Sequence, residues 1–301
     1  MSAHGPQTDV VTVGRVYCDL IFTDVPRMPT MGTEVYAGGF GMHAGGGAAI
    51  TAAHLVAQGR SATLAAILPG GAFGPMIRDE LHAAEIDLSL CRSAEPGTEA
   101  QVTAALVGGE DRAFITHRSG PAAPRLNEVA LGRTGAQHMH IAELATLVEM
   151  PELLTMARAA GMTVSLDCSW DETVGLTDAA PLIAAVDVFL PNAAEAERLA
   201  DMGAVPPVAP ITVIKEGAKG ATVWSKGGRE HAPAKRVTPV DTTGAGDAFN
   251  AGFLHAWLGG QPLDACLVAG NTAGARAIGV RGGFPPQRAA HVAQLGHEVL
   301  P

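Results

Sequence analysis

Between Gln137 and Ala200 the chain repeats one pattern: a short apolar run, then a longer run with apolar residues at helical spacing. Strands are expected at His138 to Ala142, Thr163 to Asp167 and Val186 to Leu190. Helices are expected at Pro151 to Ala160, Thr177 to Ala184 and Ala193 to Ala200. Strands separated by helices join one sheet as parallel neighbours, because each helix carries the chain back across a face of that sheet. The N-terminal part repeats the theme, with a strand at Val10 to Val13, an Ala-rich helix after Gly45, a strand at Ala62 to Leu68 and a helix at Phe73 to Ala84. The 301 residues, 47% hydrophobic with 37 glycines, suit one α/β domain over 1–301 with a mostly parallel central sheet. Ligands of such sheets gather outside the carboxyl ends of the strands. Glu143, Asp167 and Asn192 fall at such ends.

The rhythm breaks twice. Residues 16–38 are extended and rich in Pro, Gly and Thr, and residues 98–119 read as two strands around Gly108-Gly109-Glu110-Asp111. Together they are expected to make a small β-sheet lid, a device that keeps water from an active site.

A net charge of −10 without a basic cluster argues against a nucleic-acid partner. The four cysteines lie far apart without a CxxC pair, which speaks for a reducing compartment and against a disulfide framework or zinc site. No run approaches a membrane span, and Met1 to Asp9 lack a signal pattern, so a cytoplasmic protein without a membrane partner is expected.

Val240-Asp241-Thr242-Thr243-Gly244-Ala245-Gly246-Asp247 reads as a strand end, a glycine loop and a first helical turn. Gly244 and Gly246 leave the backbone open, and first-turn N–H groups at the positive end of a helix dipole can hold a phosphate. Asp247 at that mouth either favours the helix terminus or serves as a general base beside an anion hole. Gly45, Gly46 and Gly47 make a second loop-to-helix junction, for helix packing or for close approach to a ligand. Asn192 and Glu195 fit a helix capping box, or a hydrated Mg²⁺ beside a phosphate. Ile211 to Trp224 is a strand, a glycine turn and a strand, with Lys215 and Lys219 either solvated or facing phosphate. His138 and His140 share a strand face, but no third metal ligand accompanies them.

In this order the motifs resemble the PfkB, or ribokinase-like, carbohydrate kinases over nearly the full chain. Asp241 to Asp247 is similar to that family's C-terminal signature, Gly45-Gly46-Gly47 to its N-terminal glycine signature, and Asn192 to Glu195 to its NxxE element. The resemblance implies an αβα sandwich with a β lid and ATP-dependent phosphorylation of a sugar or sugar derivative. It implies Asp247 as base, with Gly244, Ala245 and Gly246 as anion hole. Glu195 and Asn192 would organise Mg²⁺ through water, and Lys215, Gly217, Lys219, Gly220 and Asn271 would line the ATP site. Asp19, Gly45, Gly46, Gly47 and Glu143 would face the substrate. Asp241, Thr243 and Gly282 match positions for a monovalent cation such as K⁺.

The departures lie on the substrate side. Gly47 and Ile50 stand where family members carry polar sugar contacts, and Tyr17 stands where a small or amide residue is usual. Arg15, His43, His117 and Arg118 flank the expected pocket, and one or two of them are candidates to offset a substrate anion. A nucleoside kinase of the same fold, with Tyr17 or Phe40 stacking on a base, and a non-catalytic ligand-binding homologue are the competing expectations. An open edge of the lid sheet offers pairing with a second copy of the chain.

Overall fold

The computed structural model describes residues 8–286, apart from 109, 110, 170, 172 and 173. Its strands are β1 (Val10–Val13), β2 (Tyr17–Thr23), β3 (Gly39–Gly45), β4 (Ala62–Ala65), β5 (Ile67–Leu68), β6 (Arg92–Ser93), β7 (Val102–Gly108) and β8 (Asp111–His117), followed by β9 (His138–Ile141), β10 (Thr163–Asp167), β11 (Val188–Leu190), β12 (Ile211–Lys215), β13 (Ala221–Ser225) and β14 (Gly228–Ala232). The helices are α1 (Gly47–Ala57), α2 (Gly74–Ala83), α3 (Glu128–Thr134), α4 (Leu144–Glu149), α5 (Glu152–Ala159), α6 (Leu176–Ala184), α7 (Ala193–Asp201), α8 (Ala245–Leu258) and α9 (Leu263–Ala277).

Eight strands form the large sheet in the order β14-β13-β12-β11-β10-β9-β1-β4. Six of them, from β12 to β4, run parallel, and β13 and β14 add an antiparallel edge. Every residue of β1, β4, β9 and β11 is buried, as the apolar runs require of parallel strands covered on both faces. One apolar core lies under α1, α8 and α9, and a second under α4 to α7 on the opposite face. The helices α8 and α9 approach closely at Gly252, where a β-carbon would stand 2.7 Å from the Ala269 carbonyl oxygen and from Ala273 Cβ.

The two breaks in the rhythm meet in a four-stranded sheet, β3-β2-β7-β8. The second strand of the first excursion begins at Gly39, beyond the expected stretch, and the Gly109–Glu110 centre of the hairpin turn lies outside the described residues. Cross-strand pairing puts Asp19, Ile21, Gly41 and His43 on one face. Leu20, Phe22, Phe40, Met42, Ala104, Leu106, Ala113 and Ile115 lie on the other. Residues 235–240, whose β-branched run reads as extended up to the strand end at Val240, have no strand partner and run as a loop.

The paired histidines of β9 are core groups. His138 lies 2.8 Å from Thr163 Oγ1 and 2.7 Å from Ser165 Oγ, and His140 Nδ1 lies 2.8 Å from the same Ser165 oxygen. Burial pushes His140 down to about 4 and His138 well below the usual range, so both are neutral near pH 7. Among the described residues no group of three or more His, Cys, Asp and Glu is placed to hold a metal, and no helix is long and apolar enough to cross a membrane.

Candidate active site

Two helix N-termini converge at the carboxyl ends of β1 and β9. Helix α8 starts after Gly244, whose φ of 71° and ψ of 5° lie in the left-handed region that a β-carbon disfavours, and no side chain caps it. Its first-turn amides therefore remain available to an anion, with Ala245 N making only a long bond of 3.4 Å to the Thr242 carbonyl oxygen. Asp247 follows two residues into the helix. From the other side comes the start of α1, where a β-carbon on Gly47 would stand 2.8 Å from Asp247 Oδ1 and 3.3 Å from Ala142 Cβ. At Gly47, glycine is needed for space beside the carboxylate. Gly45 has the same relation to Asp19, since its β-carbon would fall 2.1 Å from Asp19 Oδ2. In the loop between, a β-carbon on Gly46 would meet the Arg15 carbonyl oxygen at 2.1 Å.

The resulting pocket is crowded with acids. Burial pushes Asp247 up to about 7, Asp167 adds to the push, Lys215 opposes it, and Asp19 and Glu143 raise it further. Asp19 is also pushed to about 7, first by burial, against the pull of His43 and with Glu80 and Asp241 adding to the rise. Glu143, 5% exposed, is raised by burial and partly held down by Arg118 and Arg15. Among the described residues none donates a hydrogen bond to the side chains of Asp19 or Asp247.

Behind the glycine loop lies a counter-charge. Lys215 Nζ sits 2.9 and 3.0 Å from the Asp167 oxygens and 3.2 Å from Asn250 Oδ1, and Asn250 Nδ2 donates to Asp167 at 2.6 Å. A β-carbon on Gly246 would be 3.5 Å from that ammonium, which places Lys215 directly under the expected anion hole. Burial opposes its charge, but Asp167 and Glu195 outweigh burial and its pKa is raised. Asn250 lies three residues after Asp247 in an otherwise apolar helix, and that lone buried amide was the only sequence signal for it.

Asn192 bridges to Lys215 at the ends of β11 and β12, so the NxxE element adjoins this cluster. Asn192 and Glu195 do form a capping box: Asn192 Oδ1 accepts from Glu195 N at 2.9 Å, and Glu195 Oε2 from Asn192 N at 2.7 Å. Gly217 and Lys219 form an exposed 3₁₀ turn. Gly220 and Asn271 meet one another's neighbourhood at the end of β14. A β-carbon on Gly220 would strike the Ala232 carbonyl oxygen at 2.1 Å, and Asn271 Nδ2 donates to that oxygen at 2.9 Å. These two residues fix the wall beside the 217–219 turn.

The loop at 241–243 is tied to the loop at 281–283. Asp241 accepts from Thr243 N at 2.8 Å and from Gly282 N at 2.9 Å, and these bonds lower its pKa despite the opposing effect of burial. Thr243 Oγ1 is buried without a hydrogen-bond partner. Ile50 fills the space beneath, as β-carbons on Gly244 and Gly283 would stand 3.1 and 2.6 Å from its side chain. The apolar residue at this position thus supports both loops.

The flanking cations separate into different roles. Arg15 is buried, pairing with Glu149 at 2.6 Å and donating to Gln101 and to the Gly120 carbonyl, so it braces the core. His117 pairs with Glu99 at the surface. Arg118 donates to Tyr17 Oη at 3.2 Å and pairs with Asp171. Burial raises the Tyr17 phenol, and its ring is 6% exposed, leaving no face for a base to stack on.

The family model described as pfkB family carbohydrate kinase matches residues 7–289. An ATP-dependent ribose-1-phosphate kinase of Halopiger xanaduensis is 30% identical over 284 residues, 91% of this chain and 93% of that protein. An uncharacterized sugar kinase of Archaeoglobus fulgidus is 38% identical over 128 residues, covering 37% of this chain and about half, 48%, of that relative. Among solved structures, Arabidopsis thaliana ribokinase complexed with ribose and ATP superposes with a TM-score of 0.77 at 21% identity, covering 93% of this chain and 96% of that one, a likeness of fold.

The acid cluster has a stability consequence. A carboxyl whose folded pKa is raised lends stability at low pH and loses it as pH rises through the folded value. Asp247→Asn removes one repelled charge, so the variant is expected to melt higher than the parent at about pH 8, with the gap narrowing as pH falls from about 7 and closing at about pH 4. Calorimetric scans at about pH 8 and about pH 4 check this.

Proposed function

The chain belongs to the pfkB family of carbohydrate kinases, and we propose that it transfers the γ-phosphate of ATP to a hydroxyl of a small sugar or sugar derivative. The observation that carries this reading is the Asp247 carboxylate, held near a pKa of about 7 beside an uncapped helix N-terminus. The acceptor hydroxyl gives its proton to Asp247 as its oxygen bonds to the γ-phosphorus and the bond from that phosphorus to the ADP oxygen breaks. Charge on the phosphoryl oxygens is met by the amides of Gly244, Ala245 and Gly246 and by the Lys215 ammonium behind them. Asp19 and Glu143 bind acceptor hydroxyls, with Gly45, Gly46 and Gly47 giving the backbone close access. Asp247 then releases its proton to solvent.

The nucleotide lies along the Gly217–Gly220 turn and Lys219, against the wall that Asn271 fixes. Mg²⁺ takes few protein ligands and keeps much of its water, which suits Glu195 and Asn192 beside Lys215; it would supply charge neutralisation at the phosphates. A monovalent cation such as K⁺ would adjoin Asp241, Thr243 and Gly282, where the unpartnered Thr243 hydroxyl supports the assignment. The small sheet acts as a lid over the acceptor within a single 1–301 unit.

The outer face of that sheet supports pairing of two copies. Its centre is apolar, with Ile115 69% and Phe40 60% exposed, the kind of patch that marks an interface. The parent is expected to run as a dimer in light scattering after gel filtration and Ile115→Glu as a monomer; a monomeric parent would dispose of the dimer.

For Asp247→Asn, kcat is expected to fall by about 10²- to 10⁴-fold while the affinity for an ATP analogue stays within about twofold. Near-parent turnover by this variant would remove Asp247 as the base.

A further inference from the structure

A cavity of about 270 Å³ opens on the inner face of the small sheet. Ile21, Phe40, Gly41 and His43 form one wall, and Asp241 and Arg281 stand on the other. It continues from the acceptor end of the site, because His43 is the cross-strand partner of Asp19, and Gly41 of Ile21 two residues further along β2. A sugar held at Asp19 and Asp247 would project a substituent into this space.

The side chains there select the charge of that substituent. His43 Nδ1 faces Glu80 Oε1 at 3.3 Å, and the other Glu80 oxygen accepts from Ala44 N at 2.6 Å, so the imidazole is anchored from its Nδ1 side. Its other nitrogen lies over Gly41, where a β-carbon would come within 3.1 Å of Nε2. With no side chain at Gly41, Nε2 is presented to the cavity, where the imidazolium would donate from it while Nδ1 faces Glu80. From the opposite wall comes Arg281, exposed and with no hydrogen bond or ion pair among the described residues. The acid in that wall, Asp241, already receives the amides of Thr243 and Gly282 on its two oxygens.

We propose that the acceptor is a sugar bearing an oxyanion, a phosphate or a carboxylate, which docks between His43 and Arg281 while the hydroxyl to be phosphorylated lies at Asp247. This assignment deepens the kinase reading above and rests on it. A guanidinium matches the planar or forked oxygens of either group, whereas a hydroxyl gives it no charge to pair with. Ile21, on the same face as Asp19 and His43, supplies apolar surface beside the docked group.

The test uses three probes on the full chain: ribose 1-phosphate, gluconate and ribose. Titration calorimetry without nucleotide is expected to detect at least one of the two anions and to find ribose about tenfold weaker or worse. Arg281→Gln is expected to weaken the anion by about 10- to 100-fold and to leave ribose and an ATP analogue unchanged, with His43→Gln acting in the same direction. Preference for ribose 1-phosphate over gluconate, or the reverse, tells phosphate from carboxylate. Ribose binding as tightly as both anions, or the absence of any Arg281-dependent anion binding, overturns the proposal. An anion that binds through Arg281 but yields no product with ATP leaves this site standing and sinks the kinase reading. ATP-dependent phosphorylation of ribose at equal rates in the parent and Arg281→Gln, without an effect of the anions, does the opposite.

Discussion

Asp247 stands where a helix N-terminus favours its charge and where burial first, and then Asp167, Asp19 and Glu143, oppose it. The conflict arises from the way the chain is threaded. Helices α1 and α8 both begin at the carboxyl end of the parallel sheet, and they come together closely enough that a side chain at position 47 would push against the carboxylate. The outcome is a carboxyl poised near a pKa of about 7 rather than near its ordinary value. A base so placed is ionised often enough to act and basic enough to take a proton from an alcohol in the transition state.

Stability is conceded at this point and recovered in the layers around it. The buried Lys215–Asp167–Asn250 cluster balances the acids with a fixed cation and leaves none of its own polar atoms stranded. Asp241 ties two loops together through backbone amides, and Ile50 fills the volume beneath them. The glycine loop can thus stay open to an anion without collapsing, since neighbouring elements hold its shape. The small sheet is fastened to the same loops, with Arg112 donating to Thr242 at 2.6 Å across the cleft.

Local patterns carried most of the fold. The alternation of apolar runs and helical spacing gave the parallel sheet, and the two interruptions gave the second sheet, because both signals lie within single elements. Helix α4 and strand β14 are not legible in the sequence, being short and either half buried or largely exposed, so that neither shows a clear period. Non-local relations were harder. Lys215 sits under Gly246 through a contact between residues far apart in the chain, and Ile50 turned out to support loops when its position suggested a missing sugar contact. Arg15 and the pair His138 and His140 are polar residues whose partners, Glu149 and Ser165, come from other elements, so their place in the core could not be read from spacing, and His140 Nε2 has no hydrogen-bond partner there. Glu80, the residue that aims His43, lies on a helix that carries no motif at all.

The dependence of kcat/KM on pH is the most direct measure of the central claim, that burial, with neighbouring acids adding to it, sets Asp247 as the base. With a saturating nucleotide, kcat/KM for the acceptor is expected to climb about tenfold per pH unit below about 7 and to level above it. In Asp19→Asn the remaining rate should show its midpoint at lower pH, because the Asp19 charge is one of the causes that raise Asp247. A profile that stays flat down to about pH 5 would contradict the claim, since a carboxylate of ordinary pKa would then be doing the work or none would.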